Sequence, residues 1–131
     1  MAFEGRQTVL SWPALGDLST FQFYPVTLAT NSTYPEGYIT TIAATSTKPV
    51  GILQDAPSAA GQMAAVCVSG ISKCVCYTGT VAVLDAIGVD TSSRGAVTTT
   101  DNQWIVGTIY EKAADTNTTP ELTINVSVSR Y

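Results

Sequence analysis

Few residues in this chain are of a type and spacing that could do chemistry. It contains no histidine and three cysteines, Cys67, Cys74 and Cys76. Without an imidazole, a serine or cysteine nucleophile needs a lysine or a terminal amine as its base. Lys73 stands beside Cys74, but neighbours on a strand point to opposite faces, so the two do not meet. Asp55 and Glu111 are the carboxylates that a glycosidic hydrolysis would pair. Both open polar loops, where acids are common, and nothing around them signals a substrate cleft. Asp85, Asp90 and Asp101 match no compact oxygen-ligand loop of the EF-hand kind. No glycine stands in a G-x-x-x-x-G-K phosphate loop. Trp12, Tyr34, Tyr38, Trp104 and Tyr110 could stack on a sugar, yet such residues serve equally as core or interface anchors.

The cysteines read as structural. An odd number without an export signal favours reduced, buried thiols. The C-x-C spacing puts Cys74 and Cys76 on one face of a strand. A metal would need further ligands in a chain without histidine, and a Cys67–Cys74 disulfide is the other minor reading. The expectation is therefore a protein that is not an enzyme and carries no cofactor and no metal.

The elements around these residues are organised by residues 50–113. Val50-Gly51-Ile52-Leu53-Gln54-Asp55-Ala56 aligns with Val106-Gly107-Thr108-Ile109-Tyr110-Glu111-Lys112-Ala113 once one residue is inserted. A polar, proline-containing loop and an alternating apolar strand follow each copy. This weak repeat implies two similar β-units in one body. Residues 122–129 alternate cleanly, with Leu122, Ile124, Val126 and Val128 on one face. Residues 50–53, 63–69, 95–99 and 103–110 also read as strands, and 38–43 as a short one. The Phe21/Phe23 spacing predicts a strand over 20–24. Gly70 is either the start of a hairpin turn or a bulge in one long strand reaching Tyr77. Ile71 suits a hairpin poorly, which favours the bulge. Residues 81–87 read as a connection or short helix, and 58–62 as one helical turn. Roughly eight short strands with little helix indicate a compact all-β barrel or sandwich.

Residues 1–16 read as an irregular, extended N-terminal arm, and 17–131 as a single β domain. The arm carries Phe3, Arg6, Val9, Leu10 and Trp12. Large aromatics on a terminal segment gain by docking on a partner. These five residues are the candidate interface, with an arm folded back on its own barrel as the alternative.

Charged residues make up 12% of the chain against 45% apolar, fewer than the quarter usual for a free monomer, so partners are expected to cover much surface. A net charge of −4 argues against nucleic-acid binding. No apolar run approaches the length of a membrane helix. The sequence MAFEGRQT has no apolar signal region and is read as unexported.

Residues 50–131 resemble the bacteriophage head decoration, or capsid cement, proteins. The resemblance rests on the early Val50-Gly51-Ile52, the strand interrupted by Gly70, and RGAVTTTDNQWIVGTIYEKAAD. Within the last, Gly95-Ala96-Val97-Thr98 and Val106-Gly107-Thr108-Ile109 match the family's ending. The resemblance implies a small β-barrel or β-tulip-like sandwich. It further implies a homotrimer that clamps neighbouring major capsid protein subunits on the outer surface of the virion, after synthesis in the host cytoplasm. The arm residues would then touch the capsid or a neighbouring subunit. A carbohydrate-binding β-module of a phage tail or cell surface is the alternative.

Overall fold

The computed structural model describes residues 7–76, 82–111 and 121–131. Among the described residues there are nine strands and no helix. They are β1 (Gln7–Pro13), β2 (Pro25–Ala29), β3 (Tyr38–Thr40), β4 (Gly51–Leu53), β5 (Met63–Val75), β6 (Ala86–Val89), β7 (Gly95–Val97), β8 (Trp104–Glu111) and β9 (Glu121–Arg130). All nine join one antiparallel sheet in the order β3-β2-β4-β5-β9-β8-β6-β7, with β1 added on β5. The all-β, curled sheet is the class the sequence implies.

β5 is the spine. It runs unbroken through Gly70, whose φ of 106° is open to glycine and not to branched residues. One long strand therefore forms and the hairpin does not, but the bulge expected at Gly70 falls instead at Val68, opposite Thr8 and Val9, while Gly70 pairs on both edges. Cys67 pairs with both Val9 and Ile52, and Gly70 with both Gln7 and Val126. A strand has two edges. β1 thus lies along one edge of β5, while β4 and then β9 share the other.

The pairings resolve into a duplication. In the first unit Val26 pairs with Gly51, Ile52 with Cys67 and Leu53 with Val66. In the second, Ile87 pairs with Gly107, Thr108 with Asn125 and Ile109 with Ile124. Leu28 opposes Ile39 as Val89 opposes Gly95. Each unit is closed by a parallel bridge at the matching place, Ala14 to Ile39 and Cys76 to Gly95. The turns correspond as well. The Phe23 N–H donates to the Leu53 carbonyl at 2.7 Å and the Leu84 N–H to the Ile109 carbonyl at 2.8 Å. Both residues have positive φ, 66° and 74°. So β1, β2, β3, β4 and the first half of β5 match the second half of β5, β6, β7, β8 and β9. The V-G repeat is the trace of this in sequence. A Cβ on Gly51 would meet the Cys67 carbonyl oxygen at 2.1 Å, and one on Gly107 the Asn125 oxygen at 2.3 Å. Both glycines are there because the backbones touch.

Each unit has its own core. Ala14, Leu18, Val26, Ile39, Leu53, Ala64 and Val66 fill the first. The second holds Cys74, Cys76, Ile87, Val106, Ile109, Ile124 and Val126, together with Ile52 and Cys67 of the first unit. Successive residues of a strand face opposite ways. Leu53 and Val66 therefore serve one core while Ile52 and Cys67 serve the next, and this wall is shared. Its counterparts in the second unit, Thr108 and Asn125, are polar and only half-buried.

Several local readings are corrected. Residues 7–13 are a strand and not an irregular arm, because β5 offers an edge that pairs them along their length. Residues 20–24 form a turn, and the strand starts at Pro25. Phe21 packs on the first core and Phe23 on the second, so their spacing of two reflects two destinations rather than one face. Residues 86–89 are a strand with Ile87, Gly88 and Val89 all buried, which erases alternation. Residues 58–62 are a turn in which the Gln62 side-chain oxygen accepts the Ser58 and Ala59 N–H groups.

Candidate functional site

Candidate interface residues Phe3 and Arg6 lie outside the described residues. Val9 and Leu10 are exposed on β1. Trp12 lies on the same strand but is half-buried, packed against the first core beside Ala14. The structure thus splits the set: two apolar side chains face solvent and the tryptophan anchors its own unit. Alternation places Leu10, Trp12 and Ala14 on one face, but only Trp12 and Ala14 reach the first core, while Leu10 on that face and Val9 on the other stay exposed.

The catalytic candidates separate. Asp55 and Glu111 follow β4 and end β8 at matching places in different units. One Asp55 oxygen accepts the Ala65 N–H at 3.2 Å, a loop-holding role. The Asp85 and Asp90 carboxylates likewise accept backbone N–H groups of Ala82, Ser92 and Arg94. Asp90 also meets the Arg94 guanidinium at 2.9 Å. Asp17 accepts the Ser19 N–H, and its bonds to Ser19 hold its carboxyl below the usual value. Among the described residues no group of three potential ligands gathers for a metal.

All three cysteines are free and buried. The Cys74 and Cys76 sulfurs lie 3.8 Å apart. The hydrogen bond with Cys76 and then burial push the Cys74 thiol well up, and burial raises Cys67. Such thiols stay protonated and inert. Lys73 is turned away from Cys74 and sets its ammonium 5.4 Å from the centre of the Phe23 ring.

The aromatic residues do not make one platform. Tyr34 and Tyr38 pair at 6.1 Å in the first unit. Trp104 and Tyr110 stand near opposite ends of β8, about 20 Å apart at strand rise. Trp104 has two cations over its ring, Lys48 at 4.8 Å and Arg130 at 4.4 Å from the ring centre. Cation–π contacts of this kind are worth roughly 0.5–1 kcal/mol each at exposed sites. They tie the loop before β4 to the end of β9, across the units.

Where β4 and β9 diverge from the shared edge of β5, a cleft of about 810 Å³ opens. Leu28, Pro49, Val50, Val68, Val126 and Val128 line it, with Lys48 at its side. The sequence carried no sign of this cleft, because it forms from the fork of two strands distant in the chain. A further tie that the sequence did not reveal is Ser93. Its hydroxyl donates to the Pro25 carbonyl at 2.7 Å and accepts the Ile42 N–H at 3.0 Å, pinning the second unit's β6–β7 loop to the first unit.

These features define a duplicated antiparallel body whose described surface presents apolar edges and a cleft rather than converging reactive groups. No family model matches the chain, and no curated protein sequence matches it. Among solved structures, the N base of the head fiber protein gp8.5 of bacteriophage phi29 has the same fold. Its TM-score is 0.64 at 14% identity, over 92% of this chain and 95% of that one.

Proposed function

We propose that this protein is a structural component of a bacteriophage head, with no catalytic activity. It binds the outer surface of the capsid across neighbouring major capsid protein subunits, as a homotrimer. The observation that carries this reading is the likeness to the phi29 head fiber base, which spans nearly the whole of both chains. The resemblance of residues 50–131 to capsid cement proteins points the same way. The exposed Val9 and Leu10 suit a contact surface, and a body stiffened by two cores suits a load-bearing part.

The test is sedimentation of capsid particles with the recombinant chain. Binding at a fixed ratio to the major capsid protein is expected, and particles that sediment without it at saturating concentration overturn the reading. Trimer mass is checked separately by light scattering.

A further inference from the structure

We propose that the turn carrying Val83 and Leu84 is a docking knob for a second copy of this chain, received at the outer edge of β1. The inference rests on the internal duplication and not on the phage reading.

Inside the chain, the matching turn of the first unit already docks in this way. Phe23 sits at positive φ, packs against the second core, and accepts the Val75 N–H on its carbonyl at 2.8 Å. Lys73 places its ammonium over the same ring. The Phe23 turn is therefore a peg that the first unit sets into the outer edge of β5 at residues 73–75. Leu84 has the same backbone conformation and the same hydrogen bond to its own unit. Yet it is 71% exposed, and Val83 is 53% exposed. A leucine held in the left-handed region is strained, and among the described residues its side chain is packed into neither core.

Among the described residues no strand pairs with the counterpart of the receiving edge, the outer edge of β1. Pro13 pairs with Met63 where Val75 pairs with Glu121, so the registers place Ser11 and Pro13 where Lys73 and Val75 stand in the second unit. Around them Val9, Leu10 and Met63 are exposed at 43%, 47% and 57%. Peg and receiver thus hold apolar surface at the two positions that are mated once inside the molecule and, among the described residues, left unmated at its ends. The occupant that fits both is another copy. Two differences set the strength. Pro13 has no N–H to give to the Leu84 carbonyl, and the polar Thr108 and Asn125 replace the apolar wall formed by Ile52 and Cys67. The contact is consequently side chain on side chain, weaker than the internal one and dependent on concentration. It is heterologous, so copies repeat head to tail and close into a ring where the rotation allows.

Leu84→Cys and Ser11→Cys chains, mixed under mild oxidation, test this directly, because the three native thiols are buried. An intermolecular disulfide is expected to form roughly tenfold faster in the mixture than in either chain alone, since docking raises the effective concentration of the two thiols. Leu84→Asn suits the left-handed backbone. It is expected to keep or raise the melting temperature while lowering the weight-average mass of the full chain at high concentration. Equal cross-linking rates in the mixture and the single chains overturn the proposal, as does a wild-type chain that stays monomeric to its solubility limit. Particle sedimentation of Leu84→Asn is a separate readout: binding that persists in a monomeric variant supports the capsid reading and leaves the knob specific to self-association.

Discussion

Ser93 carries more of the fold than its size suggests. It is buried, has a φ of 65°, and satisfies one carbonyl and one N–H of the other unit. Removing the hydroxyl leaves both groups unpaired in the interior. Ser93→Ala is expected to cost about 1–3 kcal/mol in a urea melt; a variant as stable as the wild type would show that water replaces the hydroxyl. The thiols make a second prediction. The Cys76 hydrogen bond and burial raise the folded Cys74 thiol well above 9.0. Above the unfolded value the folded state then binds more protons than the unfolded one. The stability from this group is complete below about pH 9 and declines as pH rises from there towards the folded value. Melting temperatures recorded up to strongly alkaline pH should fall more steeply for the wild type than for Cys74→Ala, although the variant starts lower because it leaves a cavity. Parallel curves would remove the thiol from the account.

At the scale of elements, the close pairs β4–β5 and β8–β9 depend on Gly51 and Gly107. Gly51→Ala and Gly107→Ala each drive a methyl against a backbone carbonyl that cannot turn aside. Each is expected to destabilise by about 1–3 kcal/mol or more by overpacking. Similar losses in the two variants, measured by chemical melts, are the signature of matched units, and a tolerated Gly107→Ala would break the match. β1 makes the opposite case. It is legible as apolar residues but not as a strand, because the adjacent Val9 and Leu10 break the apolar–polar alternation of the segment. Its pairing is dictated by an edge fifty or more residues away in the chain. Val9→Asp and Leu10→Asp replace exposed side chains. They are expected to leave the melting temperature within a few degrees while weakening particle binding. Deleting the strand would instead strip Trp12 from the first core, where it packs beside Ala14.

For the whole molecule, the two cores share the wall of β4 and the first half of β5, and Ser93 and the Lys48–Trp104–Arg130 contact bridge the units. The units should therefore melt together. A single calorimetric transition, with van't Hoff and calorimetric enthalpies equal, is the expected result. Two resolved transitions would mean that the shared wall does not couple the units.

The sequence by itself determined the class. The alternation of residues 122–129 is that of a strand, residues 63–69 read as a second, and the V-G repeat marked two similar units. The lack of histidine leaves a serine or cysteine nucleophile only a lysine or a terminal amine as its base. Phe3 and Arg6 lie outside the described residues, whereas Val9, Leu10 and Trp12 share one strand and are divided by burial. Only tertiary structure decided that division, the strand identity of β1 and β6, and the different destinations of Phe21 and Phe23. The reason is physical. Periodicity is read along one strand with one buried face. It fails where both faces are buried, as at Ile87-Gly88-Val89, and where a distant edge supplies the hydrogen bonds, as for β1. The equivalence of Phe23 and Leu84 is likewise invisible in their side chains, because it resides in backbone conformation and in a shared hydrogen bond.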